Sequence, residues 1–333
     1  MMERVLVTGA NGFLGAWLTR YLLAEGYDVT ALVRKKSDLS ELALESPDMK
    51  TLKLAYGDVT DIDSLKKSFQ DRQIVFHLAG IVSYNPADNT LLKKVNVEGT
   101  RNVVEVCSEH KIRLLHVSSV VAVGAAFVPQ VLNEDFGYNI AHLHMAYFDT
   151  KKEAEDLVVA AARAGRIQAV CVNPSTIYGF GDARKGSRKN QIKVARQKMP
   201  FYTSGGVNVV AAEDVVKGIL LAVKNGKNGE RYLLTGENMS IQQLFQKIAA
   251  AAGVKPPGFY MPNWLLYGIG FAGDRLQKLG VNIGVTSVNA QTAMMYHWFD
   301  SSKAQKEIGF VPTSADAAIA KSVSWMRDNG YLA

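Results

Sequence analysis

The sequence predicts an α/β protein, a doubly wound parallel sheet joined to a smaller C-terminal α/β cap. Three observations predict it. The first half alternates short β-rich runs with amphipathic helical stretches. Strands separated by helices make βαβ units, and right-handed crossovers place helices on both faces of a parallel sheet. A glycine-rich turn, GANGFLG at 9–15, lies between the first strand and the first helix. After Asn173 the alternation breaks, strand signals become sparse, and Pro and Gly become frequent.

The elements follow in order. RVLVTG (4–9) reads as a strand, and Phe13, Leu14, Trp17, Leu18 and Leu22 give a helical apolar face that Gly26 ends. DVTALV (28–33), TLKLAYG (51–57), QIVFHLAG (73–80), RLLHVSS (113–119) and IQAVCVN (167–173) read as strands. Helices are predicted around 61–70, 89–109 and 146–164. EDVVKGILLAVKNG (213–226) reads as an amphipathic helix returning to the first sheet, and ERYLLTG (230–236) as a short strand. Ser240 with Gln243 makes a capping box for a helix through Ala252. Residues 262–279, 286–296 and ADAAIAKSVSWMRDNG read as further helices. The larger domain spans 1–173 plus about 207–228, and an interleaved cap takes about 174–206 and 229–333.

Of the 333 residues, 48% are hydrophobic and 21% charged, the balance of an ordinary globular protein. No apolar run approaches the ~20 residues that span a bilayer, and MMERVLVTG enters a strand rather than a leader. A cytoplasmic chain without an integral membrane segment is expected. Cys107 and Cys171 lie in apolar segments and read as buried thiols. The formal net charge is +7, and residues 184–198 hold seven basic residues and no acid. A solvated helix face, an anion-facing lip and a membrane-surface patch all fit that stretch. No aromatics interleave with its charges, so nucleic acid is not an expected partner.

Gly9, Gly12 and Gly15 let the backbone turn tightly and approach a pyrophosphate at the helix N-terminus. Thr8, Asn11, Phe13 and Leu14 complete that loop. Arg34 follows Gly15 by 19 residues, at the tip of the second strand. An acid there would bond the ribose hydroxyls of NAD. Arg34 with Lys35 or Lys36 pairs instead with a 2′-phosphate, which selects NADP(H) over NAD.

Tyr147 and Lys151 are spaced i, i+4, on one face of a predicted helix. An ammonium ~4 Å from a phenol at effective dielectric ~20 favours the phenolate by roughly 4 kcal/mol, or about 3 pKa units, less the cost of burial. That arrangement suits a general acid. Ser118 and Ser119 both end the fifth strand, and either hydroxyl could steady a developing alkoxide.

The spacing T-G-x-x-G-x-x-G resembles the extended short-chain dehydrogenase/reductases, the NAD-dependent epimerase/dehydratase superfamily. GDVTD (57–61), HLAG (77–80), NVEGT (96–100), NPSTIYGFGD (173–182) and FDSSKAQKEIGFVP (299–312) continue the resemblance in order. It implies a Rossmann-type sheet with a substrate-binding cap. It implies cofactor contacts at Asp58, Val59, Leu78, Ala79, Gly80, Asn173, Pro174 and Thr176, and a bond from Lys151 to the nicotinamide ribose. The family pattern puts the catalytic hydroxyl five residues before Gly124, which selects Ser119 to act with Tyr147 and Lys151. Asn96 resembles the asparagine that ties the fourth helix to the sheet. A homodimer through 89–109 and 146–164 is the family's habit.

Ser119, Tyr147 and Tyr84 are the candidate substrate contacts. Phe201, Tyr202, Tyr260, Trp264 and Tyr267 fit a pocket lining or a cap core. His77 reads as structural, His142 and His144 as a substrate mouth or surface loop, and no metal site is expected. Sugar epimerases of this family carry a run resembling RDFVHVDD. Here NVVAAEDV (208–215) lacks the arginine and places Ala211 at the histidine position. The expected function is NADPH-dependent reduction of an aldehyde or ketone, in the dihydroflavonol reductase-like branch. The alternatives are a nucleotide-sugar epimerase/dehydratase with the same triad and a non-catalytic NADP-binding regulatory protein.

Overall fold

The computed structural model describes residues 2–42, 50–181, 186–281 and 285–332. Its first half follows the predicted alternation: β1 (Arg4–Thr8), α1 (Phe13–Ala24), β2 (Asp28–Val33), β3 (Lys53–Tyr56), α2 (Ile62–Phe69) and β4 (Ile74–His77). α3 (Asn89–Leu92), a π-helical segment Lys93–Glu98 and α4 (Gly99–His110) then run on as one helical stretch. β5 (Arg113–Val117), the short β6 (Val131–Leu132), α5 (Ala146–Arg163) and β7 (Ala169–Pro174) follow.

The second half holds β8 (Thr176–Tyr178), α6 (Gly186–Ala195), β9 (Phe201–Tyr202), β10 (Gly206–Ala211), α7 (Ala212–Asn225) and β11 (Arg231–Leu234). β12 (Glu237–Ser240), α8 (Ile241–Ala252), β13 (Phe259–Tyr260), α9 (Asn263–Lys278) and α10 (Ser287–Met294) come next. β14 (Trp298–Phe299), α11 (Ser302–Ile308) and α12 (Ala315–Asp328) end the chain. The capping box at Ser240 and Gln243 forms as the sequence predicts.

Seven strands form one sheet in the order β11-β7-β5-β4-β1-β2-β3. Every ladder in it is parallel. Such sheets are buried on both faces, which is why these strands read as continuous Val, Leu and Ile runs. Leu14, Leu18 and Leu22 of α1 and Val215, Ile219 and Ala222 of α7 pack on one face. Leu65 and Phe69 of α2, Val103 and Val106 of α4 and Val158 and Ala161 of α5 pack on the other. Strand order reverses between β1 and β4, and ligands of such sheets bind beyond the carboxyl ends at that switch. The glycine turn leaves β1 at this point.

Two sequence expectations are corrected. Residues 207–228 do not all return to the first sheet: β10 joins a cap sheet, β12-β10-β8, and only α7 comes back. Conversely Arg231–Leu234, assigned to the cap, extends the main sheet by pairing with β7. The reason is that α7 lies on the α1 face and a short turn delivers β11 to the open edge of β7. The sparse strand signal after Asn173 has a plain cause. β9, β13 and β14 are two residues long, too short to show a period. The cap core joins Val194 of α6, Val209 of β10, Phe245 and Ile248 of α8, and Ile319 and Val323 of α12.

Candidate active site

The glycine turn is built for close approach. Gly9 adopts φ +68°, and a Cβ there would come within 2.7 Å of the Ala79 backbone nitrogen. A Cβ on Gly15 would lie 2.1 Å from the Gly9 carbonyl oxygen. Gly12 caps α1 with no side-chain hydrogen bond, so the first N–H groups face the turn. A helix N-terminus open in this way fits a dinucleotide pyrophosphate. Phe13 and Leu14 are buried under the turn. The Thr8 hydroxyl pairs with His77 Nδ1 at 2.8 Å and accepts from the Ala79 N–H at 3.1 Å, so it braces the turn from below. Asn11 donates to the Asp38 carbonyl at 3.2 Å, tying the turn to the segment after Arg34.

Arg34, Lys35 and Lys36 are all exposed at the end of β2. Asp58 follows β3, and its carboxylate accepts from the N–H and hydroxyl of Thr60, both at 2.9 Å. Val59 is buried, and Gly99 passes so near that a Cβ would meet Val59 Cγ2 at 2.7 Å. Leu78, Ala79 and Gly80 follow β4 at the same edge of the sheet, and a Cβ on Gly80 would lie 3.8 Å from Lys151 Nζ.

α5 presents Tyr147 and Lys151 inward, both buried. Burial, seconded by Tyr84, pushes the Tyr147 phenol above its ordinary pKa near 10, and the Ser119 side chain opposes part of the rise. The sequence expectation that Lys151 would lower it is therefore corrected. Desolvation of the phenolate dominates, and Lys151 Nζ donates to the Val117 carbonyl at 3.0 Å. Tyr84 lies edge-on to Tyr147, ring centres 5.9 Å apart, and is 41% exposed.

Asn173 places Ser119. Its amide donates to the Ser119 carbonyl at 3.0 Å and to the Glu155 carboxylate. Ser119 Oγ accepts a long 3.4 Å bond from the Val121 N–H and hydrogen-bonds the Tyr147 phenol. Ser118, the other candidate, has a buried hydroxyl without a hydrogen-bond partner. Pro174 ends β7, and Thr176 starts the cap strand β8. Asn96 accepts from the Ile81 N–H at 2.8 Å and donates to Thr150 at 3.2 Å, locking the π-helical segment to α5.

Other residues take quieter roles. His77 is sealed between Thr8 and Thr100, and burial, then Lys151, lowers its pKa to about 3. His142 and His144 are exposed. Cys107 and Cys171 are free and buried. Arg188, counted in the basic stretch, is 1% exposed and stacks 4.1 Å over Tyr178, so it is cap core and no anion-facing lip. Arg184 and Lys185 lie outside the described residues. Trp264 and Tyr267 are exposed rather than core. Among the described residues no group of three or more His, Cys, Asp or Glu could hold a metal ion. Sequence reasoning missed Glu155 and Arg231. Glu155 stands four residues beyond Lys151, on the same helix face, so its position was legible.

A sequence model of the NAD dependent epimerase/dehydratase family matches residues 5–235. The chain belongs to that family. Membership makes it an NAD(P)-dependent oxidoreductase of the extended short-chain dehydrogenase/reductase type. Sterol demethylase protein B of Methylococcus capsulatus is 34% identical, over 98% of this chain and 99% of that protein. A Synechocystis protein that provisionally bears the name dihydroflavonol 4-reductase is 33% identical, over 100% of this chain and 97% of its own. The crystal structure of gox2253 superposes with a TM-score of 0.88 at 32% identity, over 99% of this chain and 100% of that one.

Proposed function

We propose that this family member reduces a carbonyl compound with NADPH, using Ser119, Tyr147 and Lys151. The observation that carries the reading is Tyr147, buried on the face of α5 that holds Lys151 and hydrogen-bonded to the Ser119 side chain. A phenol held above its ordinary pKa keeps its proton at neutral pH and can give it to a carbonyl oxygen as that oxygen gains charge. Ser119 donates a hydrogen bond to the same oxygen. Lys151 supports the phenol and reaches a ribose hydroxyl. A bound nicotinamide would supply the hydride, so the chain's own part is the proton and the polarising hydrogen bonds.

Gly9, Gly12 and Gly15 hold the pyrophosphate in this reading, Asp58 and Val59 the adenine, and Arg34 with Lys35 the 2′-phosphate. Leu78, Ala79, Gly80, Asn173, Pro174 and Thr176 lie along the remaining length of the cofactor. The two relatives above are named for a dihydroflavonol and a sterol rather than a nucleotide-sugar, which supports the reductase reading. So does Asp214 in NVVAAEDV: its carboxylate is spent on the Thr313 N–H and hydroxyl, each at 2.7 Å. A homodimer through α4 and α5 belongs to the same reading, on family resemblance. The test is NADPH oxidation against a panel of aldehydes, ketones and nucleotide-sugars. Turnover of a nucleotide-sugar alone, or of nothing on the panel, rejects it.

A further inference from the structure

We propose that the outer face of α9, together with the β9–β13 ribbon, docks the protein on an anionic lipid surface. α9 has two faces. Leu266 packs with Met261, Ala290 and Met294 against α10. The opposite face carries Trp264, Tyr267, Phe271 and Arg275 at helical spacing, all exposed, with Trp264 at 74%. Phe259 and Tyr260 of β13 and Leu279 just beyond the helix extend this exposed apolar surface. Monomer surfaces scatter single apolar residues but rarely line them up in one stripe.

Charge chooses the occupant. No acid occurs between Asp182 and Glu213, and only Asp274 between Glu237 and Asp300. Asp274 is turned inward, accepting from the Ser287 N–H at 3.2 Å. The first stretch contains β9 and the second contains β13, and these two strands pair. Exposed Lys198 precedes β9 by three residues, exposed Lys255 precedes β13 by four, and exposed Arg275 lies on α9 itself. Arg275 lies 4.8 Å over Phe271, its stem along the aromatic stripe. Trp and Tyr within an apolar stripe, set among cations, match a helix lying in the headgroup layer of an anionic membrane. None of the described helices is long and apolar enough to cross a membrane, so α9 lies on the surface.

The test reads partition rather than turnover, so it can fail independently of the reductase reading. The full chain is sedimented with vesicles of phosphatidylcholine, and of phosphatidylcholine mixed with phosphatidylglycerol. Binding to the mixed vesicles only, weakening as salt rises, is expected. Trp264→Ser with Phe271→Ser should abolish it. Lys198→Ala and Arg275→Ala should each weaken it about fivefold. These side chains are exposed, and an unchanged thermal midpoint shows that the fold is kept. Absence of wild-type binding to the mixed vesicles overturns the proposal. So does a Trp264→Ser/Phe271→Ser chain that still binds them, or one that changes from dimer to monomer with binding intact, which would assign the stripe to a second copy.

Discussion

Glu155 of α5 and Arg231 of β11 form an ion pair of 2.8 Å, with Glu155 only 1% exposed. The same guanidinium donates to the Glu134 and Phe136 carbonyls, and Glu155 holds Asn173, which holds Ser119. One arginine therefore ties the last strand of the sheet to the serine of the site. Arg231→Ala strands a buried carboxylate, which costs about 3–5 kcal/mol. A lower urea midpoint should report it. Arg231→Lys should recover only part, because a compact ammonium cannot reproduce the planar fork that spreads two nitrogens over these acceptors. An alanine variant as stable as wild type would remove the network from the account.

Tyr147→Phe should lower kcat by about a hundredfold or more, the usual worth of a general acid. The ring stays, so cofactor affinity should change little. Burial holds the phenol above its ordinary pKa. The wild-type rate should accordingly stay level through neutral pH and fall only under alkaline conditions. A phenylalanine variant with near wild-type turnover ends the assignment.

The main sheet was legible because six of its seven strands, all but the exposed edge strand β3, are buried and announce themselves as largely apolar runs. DVTALV is found over Asp28–Val33 as read. The helices of the cap were legible from apolar spacing and the Ser240 capping box, and its short strands were not. A two-residue strand such as β13 has no period, and its pairing with β9 is a tertiary event. In the site, Gly9, Tyr147 and Lys151 were visible because their chemistry fixes spacing along one element. Arg231 was invisible because its partner lies 76 residues away, across the sheet. Composition also misplaced Arg188: a charge run reads as a solvated face, but this guanidinium packs on Tyr178 inside the cap.

Two buried histidines and the half-buried His297 should set the acid limb of stability. Burial, then Lys151, lowers His77 to about 3; burial lowers His297 to about 4; burial, then His77 and Lys151, hold His116 well below the ordinary value. Unfolded, each titrates near ~6.5. From about 6.5 down towards 4 the folded chain keeps them neutral while the unfolded chain takes up protons. Their stabilisation is thus intact above 6.5 and is lost as pH falls, by up to about 1.4 kcal/mol per pH unit for each. Neither ring nitrogen of His116 has a hydrogen-bond partner. His116→Leu should therefore cost little at pH above 7 and flatten the acid slope by one proton. Urea unfolding across that window decides it, and an unchanged slope refutes the assignment.

Arg34 should choose the cofactor. It stands exposed where β2 ends, and Asn11 of the glycine turn reaches the Asp38 carbonyl four residues further on. The segment that carries the cation is thereby tethered to the glycine turn. A guanidinium there pairs with a 2′-phosphate in bidentate fashion, and Lys35 can add a point charge. Hydrogen bonds to charged groups contribute roughly 1.5–3 kcal/mol, a factor of about 10 to 150. The wild type should therefore prefer NADPH over NADH by at least about tenfold in kcat/KM. Arg34→Asp should erase or reverse that preference, chiefly by weakening NADPH, because an acid repels the phosphate while NADH gains only ribose hydrogen bonds. Steady-state kinetics with both cofactors, on wild type and variant, gives the four numbers needed. Equal use of the two cofactors by the wild type would show that these cations do not read the phosphate.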